Sequence, residues 1–251
     1  MSAPDQPYLS LVVPVYNGAA RLGDALDELR LFLCAQPYAW ELILVDDASQ
    51  APVREQLERF AHSIAGITVL HNETNHGKGY SVARGMLAAR GSYRVFTDAD
   101  LAYPATEVAR ILGALSDGAD VAVACRVLRE SRYVMSPSFF SYLYTRHLAS
   151  RSLNAVVRLF LVPDVLDTQA GLKGFTAPAA EAVFTRLTIP RFAFDVEALL
   201  IAHRQRLAVR QVAVNFRYLD EPTTVRFVKD GMTVARDLAR IWLNDRRGRY
   251  A

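Results

Sequence analysis

Cysteine is scarce in this sequence and long apolar runs are missing from it. Cys34 and Cys125 are the two thiols in 251 residues, without metal-type pairing, which excludes a disulfide framework and suits a reducing compartment. No stretch reaches the roughly 18–20 consecutive apolar residues that a bilayer span requires, so the chain is expected not to cross a membrane. The opening MSAPDQPYLS carries an acid and two prolines where a secretory signal needs a basic start and an apolar centre, and export is not expected. A net charge of +3 comes without the dense Lys/Arg stripes of a nucleic-acid binder, so no nucleic-acid partner is expected. The five histidines show no ligand spacing, and the G-x-x-x-x-G-K-[ST] spacing of a P-loop is absent. One further absence is local: from Ser131 to Pro163 there is neither Asp nor Glu.

What is present is a globular composition, 51% hydrophobic, ample for a substantial core. The first half alternates two periods. Short β-branched apolar runs at Leu9 to Val15, Glu41 to Val45, Ile67 to Leu70, Tyr93 to Thr97 and Asp120 to Ala124 have strand length. Between them, Leu22, Ala25, Leu26, Leu29 and Leu33 recur at helical spacing, as do Val53, Leu57 and Phe60, and then Val108, Ile111, Leu112 and Leu115. Pro52 and Pro104 stand where first helical turns tolerate proline. This alternation predicts an α/β fold, a mainly parallel sheet flanked by helices. The second half is expected to add one or two amphipathic helices within 131–163, a helix near Pro178 to Leu187, a strand near Ala208 to Phe216 and a closing helix from about Phe227 to Leu243. A single domain over 1–251 is the simplest organisation, with halves of about 8–126 and 127–251.

Ligands of open parallel sheets bind at the carboxyl ends of strands. Three strands end in polar clusters: Pro14-Val15-Tyr16-Asn17-Gly18, Asp46-Asp47-Ala48-Ser49 and Thr97-Asp98-Ala99-Asp100. Side chains two apart in extended chain point the same way, so Asp98 and Asp100 can face one hard cation, Mg²⁺ or Mn²⁺, bridged to substrate phosphates; a solvated turn is the alternative. Asp46 and Asp47 suit ribose hydroxyls or a base N–H, or equally a helix cap. The segment Asn75-His76-Gly77-Lys78-Gly79 leads into a helix carrying Arg84, so backbone N–H groups and cations there can meet an anion, unless it is a plain glycine turn. Asp195 and Glu197, in Phe194-Asp195-Val196-Glu197, are candidate general bases or else first-turn helix acids.

The succession VVPVYN, VDDAS, N-x-GKG with a following ARGM and ARG, and TDAD resembles the family 2 glycosyltransferases of GT-A fold. Downstream, Asp167-Thr168-Gln169-Ala170-Gly171-Leu172-Lys173-Gly174-Phe175 is similar to the DTQCGFK-type motif of dolichyl-phosphate and polyprenyl-phosphate glucosyltransferases, and FDVE is similar to theirs. The resemblance runs from about Leu9 to Leu243. It implies a nucleotide-sugar pocket of Pro14, Tyr16, Asn17, Asp46, Asp47 and Lys78, a metal at Asp98 and Asp100, and Arg126 and Gln169 near the donor diphosphate or sugar. It also implies that Pro222-Thr223-Thr224-Val225-Arg226 covers the phosphates or receives the acceptor, with Thr224 and Arg226 as its contacts. Mannosyl-transferring relatives often carry Gln where this chain has Ala102, which favours UDP-glucose over GDP-mannose.

The expected reaction is attack on the anomeric carbon of a nucleotide sugar with inversion, moving a hexose to a polyprenyl phosphate. The acid-free segment interleaves Arg132, Arg146, His147, Arg151 and Arg158 with aromatics such as Phe139, Tyr142 and Phe160. That composition suits an anionic bilayer surface and a lipid phosphate, with Arg146 and Arg151 binding the acceptor, or else a core helix with solvated arginines. A cytoplasmic protein resting on the inner face of the membrane follows. The alternatives are a soluble sugar, small acid or protein hydroxyl as acceptor, a sugar-nucleotide nucleotidyltransferase, and a noncatalytic nucleotide-binding module. A nucleotidyltransferase generally needs a glycine-rich basic loop after the first strand, for which Tyr16-Asn17-Gly18-Ala19-Ala20-Arg21 is a poor substitute.

Overall fold

In the computed structural model, which describes residues 6–135, 157–158, 161–162, 164–218 and 227–251, the β-branched runs of the first half are strands. They are β1 (Leu9–Val15), β2 (Trp40–Asp46), β3 (Ile67–His71), β4 (Tyr93–Phe96) and β5 (Val121–Cys125), each within a residue of its expected bounds at either end. The intervening helices are α1 (Ala19–Cys34), α2 (Ala51–Ser63), α3 (Lys78–Ala88) and α4 (Glu107–Ser116). Leu22, Ala25, Leu26, Leu29 and Leu33 of α1 are all buried, which places the helical stripe against the sheet as its spacing requires. Pro52 sits in the first turn of α2. Pro104 stands three residues ahead of α4 and closes a turn there, its carbonyl accepting from the Glu107 N–H at 2.8 Å.

The sheet has seven strands in the order β3-β2-β1-β4-β7-β5-β8. Two of its members come from the second half: β7 (Lys173–Thr176) and β8 (Val209–Ala213). β7 runs antiparallel between β4 and β5, while every other pairing is parallel. The expected strand over 208–216 is two strands, because the chain leaves the main sheet at Val214. β9 (Asn215–Tyr218) pairs in parallel with β6 (Arg132–Met135) in a separate two-stranded sheet. The remaining helices are α5 (Ala177–Phe184), α6 (Phe194–Arg204) and α7 (Phe227–Arg246).

Most of the segment expected to form amphipathic helices lies outside the described residues, and so do Arg146 and Arg151, together with Thr224 and Arg226. Of that segment, Val157, Leu161 and Val162 are described and pack into the core. No helix among the described residues is long and apolar enough to cross a membrane.

Candidate active site

Because β1, β2 and β4 are parallel neighbours, their polar ends share one edge of the sheet. The backbone is strained there. Of the four non-glycine residues with positive φ among the described residues, Asn17 (55°), Ala48 (61°) and Leu101 (46°) each fall on one of these loops. Such conformations are costly and collect where a surrounding structure serves a ligand. The first two loops are tied together: the Asn17 N–H donates to Ser49 Oγ at 2.9 Å, and the Gln50 N–H donates to Asn17 Oδ1 at 3.0 Å. Pro14 is partly buried, and Tyr16 is 58% exposed at this edge, an open aromatic face of the kind a base stacks on.

Asp46 and Asp47 are both buried and organise the loops from beneath. Asp46 accepts from the Ser49 N–H at 2.9 Å and pairs with His71 Nδ1 at 2.9 Å. Burial alone would raise its pKa, but the Ser49 and His71 hydrogen bonds outweigh it and hold the carboxyl below its usual range. Asp47 accepts from Asn72 Nδ2 at 2.7 Å and from the N–H groups of His76 and Gly77 at 3.0 and 2.8 Å. The anion at the start of α3 is therefore one of the chain's own carboxylates. Arg84 is likewise committed, donating to His71 O and Asn72 Oδ1. The His76 and Gly77 N–H groups and Arg84 thus face the chain itself rather than an external anion, which leaves Lys78 of the groups expected to meet one. Gly77 is required at this junction. Its φ is 103°, and a β-carbon there would lie 2.7 Å from the Pro190 carbonyl oxygen.

Lys78, the first residue of α3, reaches across to Asp98, with Nζ 2.5 Å from Oδ1. Burial works to lower the lysine pKa, but Asp98, Asp195 and Asp100 together raise it. Asp98 in turn rests on the loop before β7: a β-carbon on Gly171 would overlap its Oδ2. Asp100 is exposed and accepts from the Ala102 N–H at 3.0 Å.

Below this surface lies a second pair that the sequence did not single out. Lys173 Nζ is fully buried and donates to Asp195 Oδ1 and to the Ala170 carbonyl, both at 2.5 Å. Burial lowers its pKa against the pull of Asp195. Lys173 thereby pins the Ala170–Gly171 turn on which Asp98 sits. Its ammonium lies 5.6 Å from the Phe96 ring centre, as that of Lys78 lies 5.8 Å from Phe194, and the two rings are themselves in contact. Arg126 holds Asp167 through two side-chain contacts of 2.7 and 2.8 Å, a bidentate fork. Burial would raise the Asp167 pKa; the Arg126 hydrogen bonds and charge depress it. Gln169 lies two residues before Gly171 and is partly buried.

Glu197 is not available as a base. It is fully buried on α6 and accepts from Thr188 N, Thr188 Oγ1, Ile189 N and Tyr250 Oη at 2.6–2.9 Å. It anchors the Thr188 loop and the C-terminal Tyr250 to that helix. Asp195, from the same first turn, stays with the site through Lys173.

A family model described as Glycosyl transferase family 2 matches residues 10–169. The chain belongs to glycosyl transferase family 2. It is 34% identical over 248 residues to a dolichyl-phosphate beta-glucosyltransferase of Drosophila melanogaster, covering 94% of this chain and 74% of that one. A human protein of the same name is 30% identical over 232 residues, covering 87% and 70%. Among solved structures, glucosyl-3-phosphoglycerate synthase from Mycobacterium tuberculosis in complex with phosphoglyceric acid superposes with a TM-score of 0.67 at 21% identity, covering 95% of this chain and 79% of that one. The same enzyme in complex with Mn²⁺, UDP-glucose and phosphoglyceric acid gives 0.66 at 22%, covering 96% and 80%. These likenesses show the fold, the GT-A architecture expected from the motifs. Family membership makes the chain a glycosyltransferase and removes the nucleotidyltransferase and noncatalytic alternatives.

The donor set at the end of β4 fits a hard divalent cation. Asp98 and Asp100 supply carboxylate oxygens, and among the described residues no third His, Cys, Asp or Glu joins them. Two carboxylates with the rest of the shell left to phosphate oxygens is how Mg²⁺ is held in phosphate-handling sites.

Proposed function

We propose that this chain transfers glucose from UDP-glucose to a polyprenyl phosphate, with inversion at the anomeric carbon and release of UDP. The observation that carries the reading is the contact of Asp98 with Gly171. It joins the D-x-D carboxylate to the DTQAGLK loop, the segment that resembles the DTQCGFK-type motif of lipid-phosphate glucosyltransferases. The names of its relatives at 30–34% identity support the same donor sugar and acceptor class. UDP and Mn²⁺ in the more distant solved structures support the nucleotide and the metal.

Asp98 and Asp100 would hold Mg²⁺ or Mn²⁺, which supplies Lewis-acid neutralisation of the departing diphosphate. An oxygen of the lipid phosphate forms the new bond to C1. The bond from C1 to the diphosphate oxygen breaks, and its electron pair leaves with UDP. No proton has to be abstracted, because the acceptor is already anionic. That suits a site in which Glu197 is tied to four donors and Asp195 to a buried ammonium. A hydroxyl acceptor would need a carboxylate base within reach of it. Tyr16, Asn17 and Pro14 form the proposed base and ribose side, held in shape by Asp46 and Asp47. Lys78 and Arg126 bring positive charge to the phosphates, and Gln169 reaches the sugar. Arg146, Arg151, Thr224 and Arg226 complete the proposed acceptor side. The acid-free segment is its proposed contact with an anionic membrane surface, where each basic residue is worth about 1 kcal/mol.

The donor is testable by thermal shift. UDP or UDP-glucose at about 100 times its Kd adds about 2.7 kcal/mol to stability, which for a chain of this size raises Tm by roughly 2–4 °C per kcal/mol. The expected result is a shift with UDP that depends on Mn²⁺ and a much smaller one with GDP. Metal-dependent binding of GDP with none of UDP would overturn the assignment.

A further inference from the structure

Two ammonium–carboxylate pairs lie side by side in the site, and they differ in one respect. In Lys173–Asp195 the side chains are 0% and 7% exposed; in Lys78–Asp98 they are 21% and 31% exposed. The first pair is sealed into the core and bonded additionally to a backbone carbonyl. The second stands at the open edge of the sheet, on a flexible four-carbon stem, with its ammonium on an oxygen of the carboxylate expected to take the metal. Its helix offers little else to an incoming phosphate, because the His76 and Gly77 N–H groups are spent on Asp47. The Lys78 side chain carries positive charge at the start of α3 on a stem long enough to reach either Asp98 or a ligand at the open edge.

We propose that Lys78 is an exchangeable counter-ion: it competes with the divalent cation for Asp98 Oδ1 and is transferred to the donor diphosphate when metal and nucleotide arrive together. This rests on the assignment of Asp98 to the metal. The exchange makes the binding of metal and nucleotide mutually reinforcing. Metal frees the ammonium for the diphosphate, and the diphosphate draws the ammonium away from Asp98. By reciprocity, each ligand strengthens the other by the same factor. A lysine that served the nucleotide alone would act on the metal in the nucleotide-free protein only through its field, which salt screens.

The test is Mn²⁺ binding to the full chain, measured from the free-Mn²⁺ electron paramagnetic resonance signal, for the native protein, Lys78→Met and Asp98→Asn, with and without UDP. Without UDP, Lys78→Met is expected to bind Mn²⁺ about tenfold more tightly, the scale of one partly solvated ion pair. The gain should persist in 0.5 M KCl, where a mere change of surface field is screened. With UDP present the same variant should lose most of the mutual enhancement and bind UDP more weakly. Unchanged or weaker Mn²⁺ binding by Lys78→Met without UDP, or a gain abolished by salt, would overturn the exchange. Asp98→Asn separates the two claims: native Mn²⁺ affinity in that variant would remove the metal assignment itself, whatever Lys78 does.

Discussion

Asp100→Ala is expected to lower glucosyl transfer by about a thousandfold or more while leaving the protein folded. The side chain is exposed and accepts from the Ala102 N–H, a surface hydrogen bond worth about 1 kcal/mol. The catalytic loss is larger, because in the proposed reaction Asp100 would act through the metal it would help to hold. A thousandfold corresponds to about 4 kcal/mol of transition-state stabilisation. Initial rates with saturating Mn²⁺, set beside the urea midpoint of the same preparation, separate the two quantities. Near-native turnover would remove Asp100 from the site, and an unfolded variant would show that the loop carries the fold.

Lys173→Met is expected to have the opposite signature, a loss of stability first. Its ammonium is fully buried, and removing it leaves the Asp195 carboxylate in the core without its partner. Breaking such a pair from one side typically costs about 3–5 kcal/mol, whereas replacing both members by apolar groups is often neutral. Lys173→Met with Asp195→Leu should therefore recover most of the stability lost in either single variant, a strong departure from additivity. Denaturant unfolding of the three variants checks this. Singles that each cost under about 1 kcal/mol, or a double variant equal to their sum, would show that the pair is not a unit. The rescued double variant should still transfer poorly, since the Ala170–Gly171 turn beneath Asp98 has lost its anchor.

The buried Lys173 also marks where sequence reading stopped. β1 to β5 were legible because their apolar β-branched runs are bounded by polar turns, and the shared edge of β1, β2 and β4 followed from parallel pairing alone. β7 was not. Its four residues, Lys173-Gly174-Phe175-Thr176, contain a lysine and a glycine, both poor strand signals. The glycine is there because α4 comes so close that a side chain at Gly174 would overlap Ile111. A charge that is buried because a distant residue neutralises it leaves no local trace. The same blindness made Glu197 look like a possible base, since its four donors come from Thr188, Ile189 and Tyr250. It also hid the commitment of Asp47 to the His76 and Gly77 N–H groups just ahead of α3. Spacing identified which carboxylates cluster at the sheet edge; it could not tell which of them face a ligand and which face the chain itself.

The most direct measurement is transfer of radiolabelled glucose from UDP-glucose, with Mn²⁺, into polyprenyl phosphate held in anionic vesicles, with the anomeric configuration of the product read by NMR. The expected product is a glucosyl lipid phosphate of β configuration, inverted from the α-linked donor, formed faster than any water-soluble glucoside and abolished by Asp100→Ala. Efficient glucosylation of a soluble acceptor with no label in the lipid, or a product that retains the α configuration, would contradict it.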